Sequence, residues 1–251
     1  MVDTVERFSN RVTNYVKYRP GYPPELLRLF RDEMDLTAGS VIADIGSGPG
    51  NSARMFLENG NTVYGVEPNA AMRSAAETAF ASFENFISTD GTAEKTTLQD
   101  ASVDIVTAAQ AFHWFEPEPT RRECKRILKP GGFISLIWNE RQLDTTPFLR
   151  GYEDLLQEFA NDYGAVRHDN ITEAEFAAFF ESGFRQRTFE NLQVFDFEGI
   201  LGRLLSSSYM PAQGDPRFGP MSSALRSLFA KHAEGDRIKV FYDTNVFYTQ
   251  V

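Results

Sequence analysis

The stretch Val41-Ile42-Ala43-Asp44-Ile45-Gly46-Ser47-Gly48-Pro49-Gly50 decides the fold. Its first five residues, mostly β-branched or small and apolar, read as a short buried strand. A turn dense in glycine follows, and Asn51-Ser52-Ala53-Arg54-Met55-Phe56-Leu57 then reads as a helix. A strand, a tight loop and a helix start in that order present unpaired backbone N–H groups where glycines admit positive φ and let a ligand approach without meeting a Cβ. The spacing narrows the ligand. A dinucleotide loop reads G-x-G-x-x-G, whereas here the third glycine, Gly50, falls one residue early. Asp44, two residues before Gly46, stands at the strand's C-terminal end, where a carboxylate suits a ligand carrying positive charge. A ligand-free glycine turn and another nucleotide site are the rival readings of this loop.

Working outward, Thr62-Val63-Tyr64-Gly65-Val66 reads as a second strand that closes on Glu67-Pro68-Asn69. An acid at the end of a second parallel strand can accept two hydrogen bonds from vicinal ribose hydroxyls. Asn69 caps the next helix, whose apolar face runs from Ala70 through Met72 to Phe80. After a third strand, Phe86 to Asp90, the loop Gly91-Thr92-Ala93-Glu94 offers backbone N–H groups and a carboxylate to a base, although a plain turn into a helix explains Thr92 equally well. A fourth strand, Val103 to Ala108, delivers Ala109-Gln110-Ala111-Phe112-His113-Trp114-Phe115 at its end. Open parallel sheets bind ligands outside these carboxyl ends, which sets His113 and Trp114 near a reaction centre. A helix from about 120 to 128 ends in Lys129-Pro130-Gly131-Gly132, read as a turn, and Phe133 to Trp138 forms strand five. Trp138-Asn139-Glu140-Arg141 opens at the same edge as His113, giving Trp138 a place among substrate contacts.

The flanks read differently. Residues 1–23 carry Phe8, Tyr15 and the bend Tyr18-Arg19-Pro20-Gly21-Tyr22-Pro23-Pro24, either a tether on the domain or a lid in which Arg19 supplies a forked donor and the tyrosines aromatic walls. Pro24 starts a helix with Leu26, Leu27, Phe30 and Met34 on one face. Downstream, Thr146-Pro147 starts a helix through Phe159, and Thr172 with Glu175 makes a capping box for another that Gly183 ends. Arg185 to Phe197 reads as a strand and Ile200 to Leu205 as a helix. Met221 to Ala233 is helical, and Arg237 to Gln250 is one long strand or a hairpin broken near Asp243-Thr244-Asn245.

With 251 residues, 42% hydrophobic and 24% charged, the chain suits a single α/β domain with modest insertions. The formal net charge of -10 and the lack of a Lys/Arg cluster argue against DNA or RNA as a substrate. The 22 phenylalanines pack a core or line an apolar pocket. One cysteine, Cys124, allows no intramolecular disulfide, and His113, His168 and His232 have no metal-ligand spacing, so no metal is expected. No signal core and no run of ~18 apolar residues occur, which leads to the expectation of a cytoplasmic protein that does not span a membrane.

The acid-led glycine loop, the acid-tipped second strand, His113-Trp114 after strand four and Lys129-Pro130-Gly131-Gly132 before strand five together resemble the class I S-adenosylmethionine (SAM) dependent methyltransferases of the type 11 family. Tyr18-Arg19-Pro20-Gly21-Tyr22-Pro23, and more loosely Ser206 to Pro211, resemble the group within it that includes trans-aconitate methyltransferase. The fold so implied is a Rossmann-like seven-stranded sheet in the order 3-2-1-4-5-7-6, strand seven antiparallel, with helices on both faces. It is one domain, 1–251, with an N-terminal lid at about 1–35 and substrate-cap insertions at about 145–182 and 198–235. The resemblance places SAM on Asp44, Gly46, Ser47, Gly48, Glu67, Pro68, Met72, Ala93, Glu94, Gln110 and Ala111. The resemblance does not name the acceptor; the reading of the residues themselves puts a small-molecule acceptor against Tyr18, Arg19, Tyr22, Trp114, Trp138 and Tyr209.

Methyl transfer from a sulfonium is an in-line displacement that needs alignment more than a nucleophilic side chain. A carboxylate acceptor needs only a cationic clamp, for which Arg19 is the candidate. A hydroxyl or carbon acid needs a base, and His113 is the histidine placed for it, unless it is a structural hydrogen-bonder against Trp114. Two rival functions stay open at this point: a SAM-binding regulator or partner subunit without catalysis, and a nicotinamide-dependent oxidoreductase. The oligomeric state is not legible in the sequence.

Overall fold

The computed structural model describes residues 16–161, 173–181, 183–207 and 209–251. Phe8 and Tyr15 of the expected lid, Thr172 of the expected capping box and Ser208 of the Ser206–Pro211 segment lie outside the described residues. Seven strands form one sheet: β1 (Val41–Ile45), β2 (Thr62–Val66), β3 (Phe86–Thr89), β4 (Val103–Ala109), β5 (Leu128–Arg141), β6 (Arg185–Phe195) and β7 (Ile238–Gln250). Their spatial order is β3-β2-β1-β4-β5-β7-β6, and β3, β2, β1, β4 and β5 pair in parallel. At the start of β5, Gly131 and Gly132 exchange backbone hydrogen bonds with Val251, whereas Gln142 just past its end donates to Phe241; β7 therefore runs antiparallel to β5.

Contacts divide the chain into two compact units, one holding the described residues of 21–139, 171–189 and 244–251, the other those of 1–20, 140–170 and 190–243. In the first unit the helices are α1 (Glu25–Glu33), α2 (Ala53–Glu58), α3 (Ala70–Ala79), α4 (Pro117–Ile127) and α6 (Glu173–Phe180). Strand alternation sends Ile42, Val63 and Ile105 to one face, where Leu26, Phe30, Phe56 and Phe80 cover them. Ala43, Ile45, Val106 and Ile134 go to the other, under Cys124, Ile127, Phe176 and Phe179. Helices thus occupy both faces, as parallel strands buried on two sides require. In the second unit, α5 (Pro147–Phe159), α7 (Phe197–Leu205) and α8 (Phe218–His232) share one apolar cluster built on Leu149, Ile200, Leu204, Met221 and Leu225. The residues expected to form cap insertions fall mainly here, while α6, from the same expected insertion, packs in the first unit.

Several boundaries differ from the sequence reading for identifiable reasons. Lys129-Pro130-Gly131-Gly132 is inside β5 rather than a turn before it. Val103 pairs with Leu128 and Ile105 with Phe133, so the extra residues bulge out of the ladder while pairing resumes on either side. Residues 16–18 are helical and the chain bends at Arg19, one position later than the prolines suggest. β7 is unbroken through Asp243-Thr244-Asn245 because Thr244 is fully buried and donates through Oγ1 to Asn139 Oδ1 at 2.5 Å, which replaces turn chemistry with a buried partner.

Candidate active site

The site begins where β1 ends. Gly46 and Ser47 donate their amides to Val66 O at 2.8 and 3.2 Å, which draws the glycine loop onto the end of β2. Glu67 completes the join: its Oε2 accepts from Gly48 N at 3.0 Å and its Oε1 from Asn69 N at 2.8 Å. Asn69 Oδ1 in turn accepts from Ala71 and Met72 N, the cap expected for α3. Burial raises the Glu67 carboxyl pKa, against the pull of these amides and of Arg73. Each oxygen retains a second acceptor direction for a ligand hydroxyl.

Asp44 is fully buried. Its Oδ2 accepts from Ser52 Oγ at 2.6 Å, while Oδ1 has no protein partner. Burial pushes the carboxyl up to about 7, opposed by Ser52 and the Ala53 amide and reinforced by the negative charge of Glu67. In the sheet register Asp44 stands beside Thr107 of β4, and Thr107 beside Ser135 of β5. Thr107 Oγ1 and Ser135 Oγ are likewise buried without a protein acceptor or donor. A carboxylate kept from water with one oxygen uncommitted is a costly arrangement that a cationic group would relieve. Gly48, at φ +55, has open space where a Cβ would project, so its side faces room rather than core. A sulfonium amino acid nucleoside fits this donor set: cationic groups for Asp44, a ribose diol for Glu67, and a glycine turn that lets it close on the backbone.

At the end of β4, Gln110 takes φ +57, with its amide donating to Ile137 O and Nε2 to Asn139 O at 2.9 Å, while Oε1 is buried without a partner. Ala111 is buried beside Gly46. His113 and Trp114 follow in a short 3₁₀ turn, their rings 4.6 Å apart; Trp114 is 43% exposed and His113 half-buried. Ala93 is buried, and Glu94 Oε1 accepts from Glu116 N at 3.0 Å, tying the loop after β3 to the start of α4. Met72 is buried and Pro68 exposed. Trp138, read as a substrate contact, is 2% exposed and sits in the core against Phe112, Phe176 and Phe247. Strand alternation decides this: Asn139, not Trp138, lies on the face that meets Gly21 and Thr244. Tyr22 packs on the cluster around Phe30.

Two positioning residues escaped the sequence reading. Asn139 holds Gln110, Gly21 and Thr244 at once. Glu123 accepts from both Thr96 N and Thr96 Oγ1 at 2.7 and 2.6 Å and pairs with Arg126; these contacts hold its carboxyl down at about 2 and anchor the loop carrying Ala93 and Glu94. Neither the contacts of Asn139 nor the Glu123–Thr96 bonds are local in sequence, so no motif announces them.

The remaining candidates are in the other unit. Tyr18 lies over Gly202 of α7, where a Cβ would come within 2.1 Å of its ring. Glycine inside a helix costs roughly 1 kcal/mol, and this close approach explains it. Arg19 Nη2 donates to Ser206 O at 3.2 Å. Tyr209 packs with the cluster around Leu204, and its carbonyl accepts from Asn161 N.

Residues 43–136 match the family model described as a methyltransferase domain. An uncharacterized methyltransferase of Schizosaccharomyces pombe is 30% identical over 152 residues, 60% of this chain and 59% of that protein. One from Mycobacterium tuberculosis is 36% identical over 134 residues, 53% of this chain and 52% of that protein. The matching stretch thus spans a little over half the length of these relatives. Among solved structures, a protein assigned as a type II methyltransferase from Anaeromyxobacter dehalogenans superposes with a TM-score of 0.69 at 20% identity, covering 93% of this chain and 98% of that one. A geranyl diphosphate methyltransferase in complex with SAM gives 0.51 at 14% identity, covering 91% and 85%. The architecture is the Rossmann-like seven-stranded fold that these methyltransferase structures share. No helix of the described residues is long and apolar enough to cross a membrane.

Proposed function

We propose that this protein binds SAM at the ends of β1, β2 and β4 and transfers its methyl group to a small-molecule acceptor bearing a carboxylate. The observation that carries the reading is the fully buried Asp44 with one uncommitted oxygen, beside a glycine loop that Glu67 pins in place. SAM supplies an electrophilic methyl on a sulfonium when bound. Asp44 offsets positive charge, Glu67 accepts from ribose hydroxyls, and the loop of Ala93 and Glu94 reads the base. Gln110 and Ala111 shape the methionine end. Orientation of acceptor and methyl supplies about 7–11 kcal/mol of the barrier, so alignment and exclusion of water are the chain's main tasks. Arg19 is assigned to the acceptor carboxylate. His113 is the base if the reacting atom is a hydroxyl or carbon acid, and is idle as a base if it is the carboxylate itself.

Calorimetric titration with S-adenosylhomocysteine, SAM and NADH tests the cofactor; micromolar binding of the first two and none of NADH is expected. Transfer of labelled methyl to a panel of carboxylic acids tests the reaction. Binding without transfer to any acceptor would identify a SAM-binding regulator instead. Arg19→Ala is expected to spare S-adenosylhomocysteine affinity and raise the acceptor KM about tenfold or more; equal loss of both would reassign Arg19 to the cofactor.

A further inference from the structure

Arg203 sits in the last turn of α7, in the unit that contains α5, α7 and α8. It is half-buried, yet no Asp or Glu of the described residues pairs with it. Its Nε donates to Tyr242 Oη at 3.3 Å, and its Nη1 to Ser206 Oγ and Ser207 Oγ, both at 3.4 Å. All three partners are neutral and all three contacts are long for a guanidinium, whose bonds to anions run at about 2.7–2.9 Å. Nη2 donates to no described residue.

Among the described residues no free carboxylate supplies a counter-charge. Glu153, the buried acid among the described residues of this unit, is taken by Arg141 Nη2 at 2.5 Å and by Gln157 Nε2 at 3.1 Å. Burial pushes the Tyr152 hydroxyl up to about 12, although Arg203 and Arg141 pull the other way, so it stays neutral at ordinary pH. Tyr242 donates to Gln193 Oε1 at 2.9 Å, and Gln193 Nε2 donates to Tyr18 O at 3.2 Å. This chain of neutral groups orients Tyr242 Oη toward Arg203 as an acceptor. Arg19 adds a second guanidinium at Ser206 O.

We propose that Arg203 is an anion receptor that takes a carboxylate of a small-molecule ligand on its guanidinium fork, with the hydroxyls of Ser206 and Ser207 beside it. Arginine rather than lysine suits a planar two-oxygen group held by paired N–H donors. Identifying this ligand with the methyl acceptor rests on the methyltransferase reading; the existence of the anion site does not.

The test uses the whole protein in low-salt buffer, with chloride adjusted to constant ionic strength. Citrate, malonate and inorganic phosphate are titrated calorimetrically, with and without S-adenosylhomocysteine, against wild type, Arg203→Met and Arg203→Lys. Wild type is expected to bind citrate or malonate at least tenfold more tightly than phosphate. Arg203→Met should lose that binding by tenfold or more at unchanged S-adenosylhomocysteine affinity, and Arg203→Lys should fall between. Unchanged S-adenosylhomocysteine binding also certifies that the variants are folded; should Arg203→Met unfold, Arg203→Lys carries the comparison. No carboxylate binding by wild type, equal binding by the variants, or a preference for phosphate would each overturn the proposal. Carboxylate binding with no S-adenosylhomocysteine binding would overturn the methyltransferase reading and leave the anion site standing, in which case thermal unfolding certifies the fold.

Discussion

The side chain of Glu67 holds the backbone of Gly48: Oε2 accepts from the Gly48 amide at 3.0 Å while Oε1 accepts from Asn69 N at 2.8 Å. One carboxylate at the end of β2 therefore fixes both the turn after β1 and the start of α3. The acid proposed to hold a ribose is also the clamp that shapes the glycine loop.

Glu67→Gln retains one oxygen and replaces the other with an amide that cannot accept from a backbone N–H. The loss of one of the two bonds is expected to lower stability by about 1 kcal/mol. S-adenosylhomocysteine affinity should drop about tenfold or more, because loop shape and hydroxyl acceptance are lost together. Urea unfolding and calorimetry on the same preparation check both.

Asp44 sets a pH dependence. Its folded pKa of about 7 lies above the ordinary 3.8, so the native state holds the proton more tightly than the unfolded chain. This group's contribution is thus most favourable below about 4 and is lost as pH rises toward about 7. Each tenfold displacement of the proton equilibrium is worth about 1.4 kcal/mol. Asp44→Asn is expected to flatten that window, leaving the ligand-free variant as stable as wild type or more so at pH 8, while S-adenosylhomocysteine binding weakens about tenfold. Unfolding curves at pH 5 and pH 8 decide; a variant less stable at pH 8 would show that the ionised carboxylate supports the fold.

Gly48 and Gly50 separate binding from stability. A Cβ at Gly50, φ +91, would come within 2.1 Å of the buried Phe80 ring, whereas at Gly48, φ +55, it would meet nothing. Gly50→Ala should cost about 1–3 kcal/mol through overpacking, in addition to strain at positive φ. Gly48→Ala pays the backbone strain alone but should reduce S-adenosylhomocysteine affinity more than Gly50→Ala does. Thermal melts and titrations of the pair read this out.

Trp138→Ala empties part of the aromatic cluster with Phe112, Phe176 and Phe247 and is expected to cost about 3–5 kcal/mol. Trp138→Phe should retain most of the stability and leave the acceptor KM unchanged. A KM shift with Trp138→Phe would return the indole to the substrate.

Local chemistry made much of this protein legible in its sequence. The strand and loop from Val41 to Gly50, the Asn69 cap and the Thr146-Pro147 helix start all act within a few residues of themselves, and the structure reproduces each. β-branched runs and period-two burial placed the strands; their order and the antiparallel β7 came from resemblance rather than from periodicity. The glycine loop and Glu67 were readable because a turn and a strand end have distinctive composition.

Tertiary structure decided what depends on partners far along the chain. Lys129-Pro130-Gly131-Gly132 has the composition of a turn, yet pairing to β4 and to Val251 absorbs it into β5. Trp138 and Asn139 are neighbours in sequence and equally plausible as contacts; the pleat sends one into the aromatic cluster and the other, also buried, toward Gly21 and Thr244. Arg203 has no motif at all. Its meaning depends on Tyr242, Ser206 and Ser207 arriving without an acid among them, because a half-buried charge is defined by what surrounds it, and only the fold determines that.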